Sequence, residues 1–125
     1  MEANMYNGLC LAYIGDSVFE LYVRKYILSF GLSKVNALHK KAINYTSAIA
    51  QANIIHKLLN DNILNDNEIS VFKRGRNSHI NSARKNVDLA TYLDATGFEA
   101  LIGYLYLNNE INRLEELISI ALDIK

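Results

Sequence analysis

The sequence predicts an all-α domain, and three observations carry that expectation. Proline is absent from the 125 residues and only 6 are glycine, so little in the chain interrupts helices. Apolar positions recur at helical spacing in the stretches 9–24, 89–107 and 110–124. Half of the residues are hydrophobic, enough at this length to bury a real core, and residues 1–125 read as one domain with no repeat, low-complexity tract or linker.

The elements follow in order. A first helix is expected from Leu9 to Phe30, ended by Gly31. Ser33 is the expected N-cap of a second helical run from Lys34 to Leu59, broken near Asn44 to Ser47, where Asn, Tyr, Thr and Ser crowd together. Residues 60–66 form a polar connection, and a short helix follows from Asn67 to Lys73. Between Gly75 and Asn86 the composition is Arg, Asn, Ser and His with little apolar periodicity, which reads as a basic surface loop in which Gly75 lets the backbone turn. A helix from Leu89 to Leu107 follows, and a last one from Glu110 to Ile124 sets Ile111, Leu114, Leu117, Ile118, Ala121 and Leu122 on one stripe.

Composition removes several classes of function. The single cysteine, Cys10, excludes an internal disulfide framework, fits a reducing compartment and reads as a small buried hydrophobe. No basic region followed by an apolar core opens the chain, and no apolar run approaches the roughly 18 residues of a membrane span, so a cytoplasmic location is expected. His39, His56 and His79 have no ligand spacing, which argues against zinc and leaves them as surface or packing residues. Formal net charge is zero, but its distribution is uneven. Lys73, Arg74, Arg76, Arg84 and Lys85 fall between residues 71 and 86 with no acid, whereas residues 87–125 carry 7 acids against Arg113 and Lys125. A basic rim beside an acidic floor is the arrangement this asymmetry allows.

Two carboxylates stand out within that frame. Glu99 sits in A-T-G-F-E-A-L-I-G-Y-L-Y-L (95–107) on a helical face with Ile102, Gly103 and Tyr106. Asp16 sits in L-A-Y-I-G-D-S-V-F-E-L-Y-V-R (11–24) on a face with Leu9, Ala12, Tyr13, Phe19, Glu20 and Val23. Ionised carboxylates on apolar faces need a cation or strong donors, and two of them suggest one shared metal. Glu20 lies one turn after Asp16, within reach of the same metal, and one turn before Arg24, with which an ion pair is the commoner outcome. Asp88 either caps the following helix or else orients the basic loop or accepts from Arg76, and Asp94 is expected to be solvated. Tyr13, Phe19, Tyr22, Phe98, Tyr104 and Tyr106 are expected in core or subunit contacts rather than base stacking.

The motifs also carry a resemblance. N-G-L-C-L-A-Y-I-G-D-S-V-F-E (7–20), L-H-K-K (38–41), S-A-x-x-Q-A (47–52), K-R-G-R-N (73–77), K-N-x-D (85–88) and the Glu99 segment, in this order and over nearly the whole chain, resemble the Mini-ribonuclease III branch of the ribonuclease III family. That is the short bacterial branch without a double-stranded-RNA-binding domain. The resemblance implies a ribonuclease III-type catalytic domain working as an all-α homodimer. It implies an endoribonuclease that cleaves double-stranded RNA with Mg²⁺, or Mn²⁺ in its place, and leaves 5′-phosphate and 3′-hydroxyl ends. It further implies maturation of precursor 23S ribosomal RNA as the task, with a large-subunit ribosomal protein as a possible helper.

Residue by residue, Asp16 and Glu99 match the family's catalytic, metal-binding acids, and Lys73, Arg74, Arg76 and Lys85 match its K-R-G-R-N and K-N elements and are assigned to RNA phosphates. Longer ribonuclease III enzymes carry further acids where this chain has Leu9, Ala12 and Thr96, so much of the metal shell is left to water and phosphate. Ile49, Leu93 and Arg84 depart from the branch's pattern, with two cations lost and one gained. Gly15 and Ala12 are small enough for close helix approach, either across the two-fold axis of a dimer or inside one subunit. Other classes of function stay open at this point. One is an inactive ribonuclease III-like RNA-binding or ribosome-associated dimer, against which the retention of both acids argues; another is a helical protein-interaction module.

Overall fold

A computed structural model describes residues 2–78 and 88–123, and every regular element among them is helical. After a 3-10 turn (Ala3–Met5) come α1 (Gly8–Leu28), α2 (Val35–Thr46), α3 (Ala48–Asn60), α4 (Asp66–Arg76), α5 (Leu89–Leu107) and α6 (Ile111–Ala121). Local chemistry sets their ends. The side chains of Asn7, Ser47 and Asp88 accept from the backbone N–H groups of Cys10, Ala50 and Thr91, so each closes a helix start. Asn65 and Glu68 form a reciprocal capping box at the start of α4. Asn62 and Asn109, with φ of 54° and 58°, take the left-handed conformation that ends α3 and α5. The following N–H groups of Ile63 and Glu110 turn back onto the carbonyls of Leu58 and Leu105.

α5 is the central helix. It is apolar on nearly every side, which marks a helix enclosed by others, and it packs against α1 most extensively, then α4, α3 and α6. Phe98 meets Phe19 of α1 edge-on with ring centroids 5.0 Å apart, both fully buried. Two glycines let these helices touch at the backbone. A Cβ on Gly15 would overlap the Glu99 carbonyl, and one on Gly103 would overlap the Leu11 carbonyl. Gly15 and Ala12 therefore serve packing inside the subunit, the second of the two roles open to them.

Four sequence expectations change here. Lys34, not Ser33, occupies the N-cap position of α2 and makes no side-chain cap bond. α4 runs on through Arg76, so Lys73, Arg74 and Arg76 stand on its last turn and not in a loop. Gly75 does not turn the backbone: it is buried, and its missing side chain makes room for Ala100 and Gly97 of α5. Cys10 is exposed rather than buried. Lys85, Arg84 and His79 lie outside the described residues.

Glu68, 2% exposed, ties α4 to α6. Its two carboxylate oxygens accept from Arg113 Nε and Nη2, each at 2.8 Å, and Arg113 also donates to the Ile63 carbonyl at 2.7 Å. Burial alone would push this carboxyl up, but hydrogen bonds from Arg113 and the Asn65 N–H, with the guanidinium charge, leave it below its ordinary value. A lowered folded pKa gives stability that is present above the ordinary carboxylate range and lost as pH falls through the lowered value. Glu68→Gln should therefore cost about 2–3 kcal/mol at neutral pH, because it strands a partly buried guanidinium, and should flatten the acid limb of the stability curve. Chemical denaturation of both proteins from pH 7 down to pH 3 checks this.

Candidate active site

α1 and α5 cross where their glycines allow backbone contact, and this crossing sets Asp16 next to Glu99. Asp16 follows Gly15, which lies against the Glu99 backbone, and both carboxylates line one cleft of about 70 Å³. The rest of the lining is Thr46 at the end of α2, Ala48 and Gln51 of α3, and Tyr92, Ala95 and Thr96 of α5. The break between α2 and α3 thus belongs to the site. Ser47 caps α3 there and aims the first turn of that helix, with its partial positive charge, along the cleft wall.

The burial expected for the two acids needs correcting. Asp16 is exposed and Glu99 half-buried. Of the residues set beside Asp16 by helical spacing, Ala12, Phe19 and Val23 are buried in the core while Leu9 and Tyr13 are 42% and 83% exposed, so the set is not one face, and Asp16 lies on its solvent side. Asp16 and Glu99, 83 positions apart in sequence, line one small polar cleft. Among the described residues no three His, Cys, Asp or Glu side chains gather around one point. A hard divalent cation fits such a site, with two carboxylates as anionic ligands and water or phosphate oxygens completing the shell. Thr96 places its hydroxyl on the Tyr92 carbonyl at 2.9 Å, which steadies the α5 wall of the cleft.

Other acids sort differently. Glu20 pairs with Arg24 at 3.0 Å, as the spacing predicts. Asp88 caps α5, and hydrogen bonds from the Thr91 N–H and hydroxyl hold its carboxyl below the ordinary value. Asp94 is not solvated. It is 8% exposed and accepts from Arg76 Nε at 2.6 Å and from His56 Nε2 at 2.8 Å, so it joins α3, α4 and α5. Asp94, rather than Asp88, is therefore the partner of Arg76. The interaction holds Arg76 by its Nε and leaves the terminal nitrogens without a partner among the described residues.

Of the expected cationic residues, Lys73 is exposed on the last turn of α4. Lys73 and Arg74 line a shallow depression with Asp66, Ser70 and Asn77. Arg74 also reaches back to the carbonyls of Asn4 and Tyr6, so it anchors the N-terminal segment. Phe19, Phe98 and Tyr104 are buried in the core, Tyr22 donates to Glu115 at 2.9 Å, and Tyr13 and Tyr106 are exposed. Sequence reasoning missed Gln51 and Tyr92 as cleft residues, and placed Thr96 only as a position where longer enzymes carry an acid. Gln51 lay in the S-A-x-x-Q-A motif, and its polar character in the apolar run A-I-A-Q-A was the available signal.

Comparison with known proteins identifies the family to which this fold belongs. The ribonuclease III domain matches residues 9–110. A Mini-ribonuclease 3 from Enterococcus faecalis is 48% identical over 113 residues, covering 90% of this chain and 86% of that protein. A Mini-ribonuclease 3 from Streptococcus pneumoniae is 41% identical, with 95% and 93% covered. A crystal structure of a Fusobacterium nucleatum protein superposes with a TM-score of 0.85 at 33% identity, covering 95% of this chain and 93% of that one. A domain match over most of the chain, relatives of this similarity and the paired carboxylates at the α1–α5 crossing all agree: the chain belongs to the ribonuclease III family, in its Mini-ribonuclease III branch, and is an endoribonuclease.

Proposed function

We propose that the protein hydrolyses double-stranded RNA at the Asp16 and Glu99 cleft with the help of Mg²⁺, for which Mn²⁺ substitutes. The observation that carries this reading is the meeting of the two carboxylates in one polar cleft. Asp16 and Glu99 would hold the cation, which supplies charge stabilisation at the scissile phosphate and an acidified water. Few protein ligands surround it, so cation binding without RNA is weak. The α3 N-terminus offers partial positive charge to a phosphate lying along the wall.

Lys73, Arg74, Arg76 and Lys85 are the proposed phosphate contacts. Arg76 is the best prepared of the three described here, because Asp94 fixes its Nε while its terminal nitrogens remain for a ligand. A-form RNA hides its base edges in a narrow major groove, so recognition rests on phosphate positions and minor-groove hydroxyls. A homodimer supplies the second site needed to cut both strands. Its support here is an exposed apolar stripe, Leu9, Tyr13 and Leu21 on α1, with Tyr106 and Leu107 of α5 also exposed. Maturation of precursor 23S ribosomal RNA in the cytoplasm, aided by a large-subunit ribosomal protein, is the proposed task. No described helix is long and apolar enough to cross a membrane.

Binding measured in Ca²⁺, which supports association without turnover, tests the reading. Duplex RNA should compete for a labelled RNA duplex, while duplex DNA and single-stranded RNA should not. Arg76→Ala should lower the magnitude of the log-log salt slope by roughly one. Equal competition by DNA, or an unchanged slope, would contradict the assignment. Arg74→Ala is the poorer probe because that side chain also anchors the N-terminal segment.

A further inference from the structure

The cleft contains a group that the carboxylates do not account for. Gln51 is only 3% exposed and begins the buried face of α3 that continues through Ala52, Ile55 and Leu58, yet its carboxamide hydrogen-bonds to nothing among the described residues. Every fully enclosed side-chain nitrogen and oxygen among those residues has a partner. The Gln51 amide must therefore reach accessible space, and the space this residue lines is the cleft holding Asp16 and Glu99. A carboxamide with so little access to water and no protein partner is poorly satisfied, and a leucine would fill the same volume without that cost. The amide is also not spent on its neighbours, since it donates to neither carboxylate. A neutral oxygen beside two anionic ligands is a common element of hard-cation shells, where Asn and Gln carbonyls complement carboxylates.

We propose that Gln51 is the third protein group in the shell of the divalent cation, its carbonyl oxygen meeting the ion or one of the ion's waters. The inference rests on the metal reading of Asp16 and Glu99 and adds a ligand to it. It explains why a cleft with two carboxylates keeps a buried amide at this position, and it makes the α2–α3 break part of the metal site, because Ser47 sets the start of the helix that carries Gln51.

Mn²⁺ binding to the RNA-free protein, followed by calorimetry, tests the proposal without reference to activity, with thermal unfolding verifying that each variant is folded. Gln51→Leu should weaken Mn²⁺ binding by about tenfold. Gln51→Glu, nearly isosteric and adding a charge, should tighten it by about tenfold. Mn²⁺ affinity unchanged in both variants, with Asp16→Asn clearly weakened, would overturn the role of Gln51 and leave the metal site standing. Affinity unchanged in all three would remove the metal reading and this proposal with it. Weaker RNA-duplex binding in the Gln51 variants with Mn²⁺ affinity unmoved would also overturn it, by assigning the amide to phosphate.

Discussion

Asp16→Asn should reduce RNA-duplex cleavage by about a thousandfold or more while the protein keeps its helical content and thermal midpoint. The change removes one of two anionic ligands, and a loss of that size corresponds to several kcal/mol of transition-state charge stabilisation. Asp16 is exposed, so the amide is accommodated without a burial cost. Glu99→Gln should behave alike, because it lines the same cleft. Single-turnover cleavage beside circular dichroism separates loss of chemistry from loss of fold. Turnover equal to wild type, or unfolding of both variants, would mean that these acids serve structure and not reaction.

Gly15→Ala is the substitution expected to damage fold and site together. Its Cβ would overlap the Glu99 carbonyl and lie 2.8 Å from the Gly103 nitrogen, and backbone atoms cannot rotate away as a flexible side chain would. The two helices must separate, at a cost of about 3 kcal/mol and a drop of about 10 °C in thermal midpoint. The same separation moves Asp16 away from Glu99, so cleavage should fall even at temperatures where the variant is folded. An alanine variant with wild-type stability and rate would show that the α1–α5 contact does not set the site.

These two predictions also mark what can be read from sequence. The bounds of α5 are legible because local chemistry fixes both ends, the Asp88 cap at one and the Asn109 turn at the other. The α2–α3 break is legible from the crowding of Asn, Tyr, Thr and Ser that ends in the Ser47 cap. The extension of α4 is not, since K-R-G-R carries a poor helix former and no apolar periodicity; packing of Gly75 against α5 outweighs its low propensity. Asp94 reads as a surface acid because its partners His56 and Arg76 lie 38 and 18 positions away. Asp16 and Glu99 are legible as anomalies and by resemblance. Their degree of burial is not, because a helical face that is apolar in sequence can still point outward, as Tyr13 does.

The central claim is that the Asp16 and Glu99 cleft makes this chain a metal-dependent nuclease for duplex RNA. Incubating the purified protein with a plain RNA duplex in Mg²⁺, in parallel with a chelator and with a DNA duplex of the same sequence, tests it most directly. The account predicts RNA products with 5′-phosphate and 3′-hydroxyl ends in Mg²⁺ only, and an intact DNA duplex. Cleavage that persists in the chelator, or equal cutting of DNA, would contradict it.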